Sequence, residues 1–182
     1  MRLIIGITGA SGVQYGIRLA EVLQDKAETY LIVTETARQI IEIESDMEIH
    51  AVKRLATHTP DERDFTSPIA SGSYRFDSMV VVPCSMKTLA SIANGISGTL
   101  ITRTADVCLK EGRRLVLVPR EMPLSMIHIE NMLRAKRAGA VIMPACPGFY
   151  PKPESVSNVI DIVVGRILDV LDIEHELYER WG

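Results

Sequence analysis

Residues 4–16, "IIGITGASGVQYG", place four glycines and Ser11 straight after a short apolar run. A turn of this kind offers backbone N–H groups and a hydroxyl at a helix start, the groups that hold a phosphate. Similar residues follow four more apolar runs: "TETA" with Thr34, "PCSMKT" with Ser85 and Thr88, "PREMP" with Arg120, and "PACPGFYPKP" with Tyr150. Any one of these turns is explained by the Gly, Pro, Ser and Thr that turn geometry itself requires. Five together favour a site of nucleotide size.

The glycine spacing narrows the ligand. Gly6, Gly9 and Gly12 read G-x-x-G-x-x-G, which is neither the dinucleotide fingerprint nor a P-loop, since no Gly-Lys-Ser/Thr follows. After the second apolar run come Thr34 and Glu35. The hydroxyl suits a phosphate or ribose, whereas a dinucleotide site wants an acidic residue at that place, so Glu35 keeps the dinucleotide only as the weaker option. A mononucleotide fits better.

The elements that must carry these turns are legible as alternation. Uniformly apolar runs at 3–7, 29–33, 78–82, 114–118 and 139–143 predict strands buried on both faces of a parallel sheet. Helical patterns at 13–24, 36–45, 99–111, 125–136 and 155–171 lie between and after them. The expected fold is α/β, a Rossmann-like three-layer αβα sandwich with a mainly parallel sheet, and ligands of such sheets sit beyond the carboxyl ends of the strands. Residues 46–76 break the rhythm, with one helix expected near 48–57 and then a polar stretch too long for an ordinary connection, which suggests a lid or an interface loop. Without repeats or a linker, residues 1–182 read as one domain.

Composition excludes several classes. Twenty basic and 23 acidic residues give a formal charge of −3 with no basic block, so a nucleic-acid partner is not expected. No run is apolar and long enough to span a membrane, and the start lacks the features of a signal peptide. Three Cys without paired spacing point to a reduced, cytoplasmic setting. Few aromatics beside plentiful aliphatics and eight Met lean towards a subunit interface.

Longer blocks are more distinctive. "GITGASGVQYGIRL", "PIASGSYRFDSMVVVPCSMKTLASIANG", "LITRTADVCLKEGRRLVLVPREMPLSMIHIENM", "GAVIMPACPGFYPKPESV" and the terminal "YERW" resemble, in order, the UbiX/Pad-type flavin prenyltransferases within the homo-oligomeric flavin-containing proteins. The resemblance implies a Rossmann-like subunit in a homododecamer with sites between subunits. It implies FMN and dimethylallyl phosphate as substrates, and a prenylated FMN product delivered to a UbiD-type decarboxylase. FMN would be held by Gly9, Ala10, Ser11, Thr34, Ser85, Met86, Lys87, Thr88 and Arg120.

The implied reaction is attack by reduced flavin N5 on the allylic carbon with loss of phosphate, then ring closure through C6. No Asp-rich motif for magnesium–diphosphate appears, so the resemblance implies metal-independent chemistry in which cationic side chains and Tyr stabilise the leaving phosphate. Lys110, Arg120, Tyr150 and Arg166 match that role, with Arg103 nearby and Glu121 as proton donor to phosphate. Ser11 and Glu44 match the pair that moves the N5 proton, and Phe65 stands where some relatives have Trp.

Each residue also has a plainer role. Glu44 suits a solvated helix end, Ser11 a helix cap, and Tyr150 packing with a wet hydroxyl. Arg103, Asp106 and Lys110 at i, i+3 and i+7 suit ion pairs along a helix face. Arg166 carries an independent signal. It leaves the polar side of its helix, formed by Asn158, Asp161, Gly165, Asp169 and Asp172, and stands by Val159, Ile162 and Val163, where a guanidinium meets an anion, an interface, or water by snorkelling. Cys84 and Cys146 end strands and would line the crevice, but no activating base stands near them. His128 on its helix reads as structural or exposed.

Two competing functions follow. An FMN-dependent decarboxylase of the same wider group would need a catalytic His or a substrate-clamping Cys motif, and neither is evident. A non-catalytic flavin-binding protein would have no reason to keep Lys110, Glu121, Tyr150 and Arg166 together.

Overall fold

A computed structural model describes residues 1–182. Five parallel strands, β1 (Arg2–Ile7), β2 (Glu28–Val33), β3 (Ser78–Cys84), β4 (Arg114–Pro119) and β5 (Val141–Ile142), form one sheet in the order β2-β1-β3-β4-β5. The order reverses between β1 and β3, which opens a crevice at their carboxyl ends.

Period-2 alternation splits the core into two layers. Leu3, Ile5, Ile7, Leu31, Val33, Val80, Val82, Val116 and Val118 face α1 (Val13–Leu23), α2 (Glu35–Glu44) and α7 (Val156–Val170). Ile4, Ile32, Met79, Val81, Leu115 and Leu117 face α4 (Met86–Ala93), α5 (Leu100–Lys110) and α6 (Met126–Arg137). Each buried aliphatic side chain contributes roughly 1.5–3 kcal/mol, and a one-residue slip in any strand would exchange its two layers.

The expected strands and helices form within a few residues of their expected bounds, with two differences. β5 is confined to Val141–Ile142, although Met143 and Ala145 continue the ladder by donating to Leu117 and Pro119. α4 is a short helix additional to the expected patterns, started by the Ser85 cap and ended before Gly95 in the left-handed region. No helix is long and apolar enough to cross a membrane.

Residues 46–76 contain α3 (Ile49–Lys53) and a 3-10 turn at Pro68–Ala70. His58 pairs with the free edge of β2: its N–H donates to the Thr29 carbonyl at 2.9 Å and its carbonyl accepts from Leu31 N–H at 2.8 Å. Such cover removes an exposed sheet edge. Beyond it, Glu62 accepts from the Leu100 amide at 2.7 Å with its carbonyl and from the Glu35 amide at 2.9 Å with Oε1. The stretch expected as a lid or interface loop is therefore pinned to α2 and α5.

Candidate active site

The crevice at the β1/β3 switch point holds a cavity of about 810 Å³ lined by Thr8, Gly9, Ala10, Thr34, Ser85, Met86, Lys87, Thr88, Arg120 and Glu121 among others. Its size lies within the range of small-molecule and cofactor sites. Nine of the residues expected from the sequence meet in this one place, the product of the ends of β1, β2, β3 and β4 converging.

Thr8 sets the geometry of the crevice. Buried at 1% exposure, its hydroxyl donates to the Pro83 carbonyl at 2.8 Å and accepts from the Ser85 amide at 2.8 Å. That bridge locks the end of β1 to the start of α4. The Ser85 hydroxyl then accepts from the Thr88 amide at 3.3 Å and donates to Thr88 Oγ1 at 3.1 Å. The Met86 and Lys87 amides in the same turn have no intrahelical partner and are free to meet an anion.

The glycine turn is shaped by close approach. A Cβ on Gly9 would stand 2.6–2.7 Å from Thr36 at the start of α2, so only glycine lets the two turns touch. Thr34 caps α2 by accepting from the Ala37 amide at 3.2 Å, which leaves its own O–H as a donor. Arg120 reaches from β4 to the turn, its Nε donating to the Ser11 carbonyl at 3.1 Å. This set of amides, hydroxyls, Lys87 and one guanidinium has the donor chemistry that a flavin mononucleotide phosphate requires.

Glu44 stands beside Ser11: its Oε2 accepts from the Gly12 amide at 2.8 Å, while its carbonyl accepts from the Gln14 side chain at 2.7 Å. The carboxylate at the end of α2 thus reaches the turn that carries Ser11, and Glu44 is a specific partner of that turn rather than a free solvated carboxylate. Glu121 is exposed on the cavity rim and accepts from the Met122 amide at 3.0 Å.

Tyr150 and Arg166 lie in a neighbouring cavity of about 330 Å³ with Met143, Cys146, Ile162 and Val163. Burial raises the pKa of half-buried Tyr15, as does Cys146, and Arg120 opposes them. The Arg166 guanidinium bonds Asp169 at 2.8 Å and its side chain is 54% exposed.

Lys110 stands apart. It ends α5, which starts at the cleft with Thr99 and runs back along the sheet, so Lys110 lies roughly 15 Å from that start at 1.5 Å rise per residue. It pairs with Glu111 at 2.7 Å, at the amino end of the strands. Arg103, midway, donates to the Ala70 carbonyl at 3.0 Å and bonds Asp106 at 2.8 Å. The single chain does not bring either cation into the cleft.

Several readings change. Cys84 does not line the crevice: it is fully buried, and burial pushes its thiol up. The polar side of α7 is covered only in part: Asp161 pairs with Arg18 at 2.7 Å and Asp169 and Gly165 lie under the chain's last residues, while Asn158 and Asp172 are exposed. Glu62, Arg63 and Thr99 also line the cavity. Sequence reasoning left them out because a loop and a helix cap give no chemical signature, although the Thr99/Thr102 spacing marks the cap.

The Flavoprotein family model matches residues 1–182. The flavin prenyltransferase UbiX of Methanocaldococcus jannaschii is 53% identical over 182 residues, covering 100% of this chain and 99% of that protein. A crystal structure of AnUbiX (PadA1) in complex with FMN and dimethylallyl pyrophosphate superposes with a TM-score of 0.98 at 48% identity, over 100% of this chain and 97% of that one. A dodecameric FMN-dependent UbiX-like decarboxylase from Escherichia coli O157:H7 gives a TM-score of 0.98 at 46% identity, over 100% of both chains. With the whole chain matched and half its residues shared, this protein belongs to the flavoprotein family, among the UbiX-type flavin prenyltransferases.

Proposed function

We propose that this protein transfers a dimethylallyl group from dimethylallyl phosphate to reduced FMN, making prenylated FMN for a UbiD-type decarboxylase. The observation that carries the reading is the presence, beside the phosphate-type donor set at the β1/β3 switch point, of a second cavity holding Tyr150 and Arg166. A flavin carrier needs only the first.

In this reading FMN is held by Gly9, Ala10, Ser11, Thr34, Ser85, Met86, Lys87, Thr88 and Arg120. Reduced FMN supplies the nucleophilic ring atoms N5 and C6. Ser11, backed by Glu44, which bonds the amide of the next residue, Gly12, takes the proton from N5. Arg103, Lys110, Tyr150 and Arg166 bind the phosphate of the donor and stabilise the charge that grows on it as the allylic C–O bond breaks. Glu121 gives the departing phosphate a proton. The Tyr150 ring offers a π-face to the allylic cation.

Lys110 can act on a cleft only if a second copy supplies it, so the reading includes a homo-oligomer with sites between subunits, a dodecamer like the Escherichia coli neighbour. A reduced cytoplasmic setting suits three unpaired cysteines, two of them buried.

The test is anaerobic incubation with reduced FMN and dimethylallyl mono- or diphosphate, followed by mass spectrometry of the released flavin. A gain of one five-carbon unit is expected. FMN returned unmodified with both donors would overturn the reading in favour of the decarboxylase or carrier alternatives.

A further inference from the structure

Asp169 lies one turn after Arg166 on α7 and belongs to none of the residues assigned above. Its side chain is 14% exposed, yet it meets four donors. Oδ2 accepts from Arg166 Nη1 at 2.8 Å and from the Tyr178 hydroxyl at 2.6 Å. Oδ1 accepts from Arg180 Nη2 at 2.6 Å and pairs with His175 Nε2 at 3.0 Å.

Three of these partners belong to the chain's last residues, which fold back over α7. The fold-back depends on Gly165, where a Cβ would stand 2.6 Å from the Tyr178 ring and 2.7 Å from the His175 ring. Trp181, next to Arg180, meets the Tyr150 ring edge-on at 5.5 Å between centroids. Tyr150 and Arg166 are thus held by the same terminal segment. Burial alone would raise the Asp169 pKa, but the bonds from Tyr178, Arg180 and His175 outweigh it and keep the carboxyl well below the usual range. Asp169 therefore stays charged.

An arginine tied at one nitrogen keeps its other N–H groups for a ligand and loses less side-chain freedom on binding it. Arg166 has this arrangement, with Asp169 on one side and the Tyr150 cavity on the other. We infer that Asp169 is a positioning residue that fixes the Arg166 guanidinium for the phosphate of the prenyl donor, with Tyr178 and Arg180 as its support. This rests on the prenyl-transfer reading.

The experiment compares FMN-loaded wild type, Asp169→Asn, Arg166→Ala and the double variant. It measures the Kd of dimethylallyl monophosphate and of inorganic phosphate by calorimetry, with KM, kcat, FMN affinity and Tm alongside. Asp169→Asn should raise KM and both Kd values about tenfold, the scale of one lost charge-assisted contact, with FMN affinity unchanged. It should add nothing in the Arg166→Ala background. Donor binding equal to wild type, or the same loss in both backgrounds, would assign Asp169 to tail packing alone and overturn the inference. Should Asp169→Asn fail to assemble, Tyr178→Phe removes one donor from the same carboxylate; a threefold rise in phosphate Kd, about the worth of one hydrogen bond, is expected, and none would overturn it. A wild type that binds phosphate but makes no prenylated flavin would sink the transfer reading while leaving phosphate binding to decide the role of Asp169.

Discussion

Arg120 lines the flavin-sized cavity and touches the glycine turn, with its Nε already committed to the Ser11 carbonyl. Its terminal nitrogens remain for a phosphate. Arg120→Ala should weaken FMN binding about 10- to 100-fold, as read by quenching of flavin fluorescence, and Arg120→Lys should recover little because an ammonium cannot hold the turn and an anion together. Tyr150→Phe has the opposite profile. Outside that cavity, it should leave FMN affinity within about twofold and slow prenyl transfer by tenfold or more, on the scale of one lost transition-state contact. Equal loss of FMN binding would contradict the division into two cavities.

Protonation at Asp169 is also read at this scale. Its carboxyl is depressed in the fold, so the stability it adds is fully present above the ordinary carboxylate range near about 4 and is lost as pH falls below it. Melting curves of wild type and Asp169→Asn should therefore differ at neutral pH and converge in acid. A gap that stays constant with pH would mean that the hub contributes packing rather than charge.

Among the elements, the crevice depends on contacts between turns rather than within them. Thr8→Val keeps the shape and the backbone bond from residue 8 to the Pro83 carbonyl but leaves the Ser85 amide without its partner, which costs about 1–3 kcal/mol. A lower urea midpoint at unchanged m-value, together with weaker FMN binding, is the expected result, and Thr8→Ser should restore both. Gly9→Ala should act through α2, since its Cβ displaces Thr36 beside the Thr34 cap.

Five apolar strands, the switch-point turns and the polar strand ends were all legible, because burial on both faces leaves uniform apolar runs and turn chemistry leaves Gly, Ser and Thr. Thr8 was not. A threonine at a strand end gives no sign that its hydroxyl will bridge to residues 75 and 77 positions away. The same holds for Asp169, which on a helical wheel is one more polar residue, and for the 58–76 stretch, whose polarity suggested freedom while its bonds to α2 and α5 fix it. Periodicity records which face is buried, not which polar groups meet there.

At the scale of the whole molecule, the proposed reading draws on two separated parts of the chain. The flavin-type cleft opens at the carboxyl ends of the strands, and Lys110 stands at their amino ends, roughly 15 Å along α5. The surface also shows Met122, Met126, Ile127, Phe149, Val156 and Trp181 at 68–86% exposure, a load of apolar side chains that an oligomer would cover. If each site joins the cleft of one copy to Lys110 of another, two inactive variants can repair each other. Lys110→Ala and Arg120→Ala, each inactive alone, should regain about a quarter of wild-type activity when co-assembled at equal amounts, because random pairing of two chain types leaves one pairing in four intact. Mixing the purified assemblies without dissociation should restore nothing. Were Lys110 to act within its own chain, every site would keep one lesion and co-assembly would recover no activity, so the recovered fraction reads directly whether the reaction belongs to the subunit or to the contact between subunits.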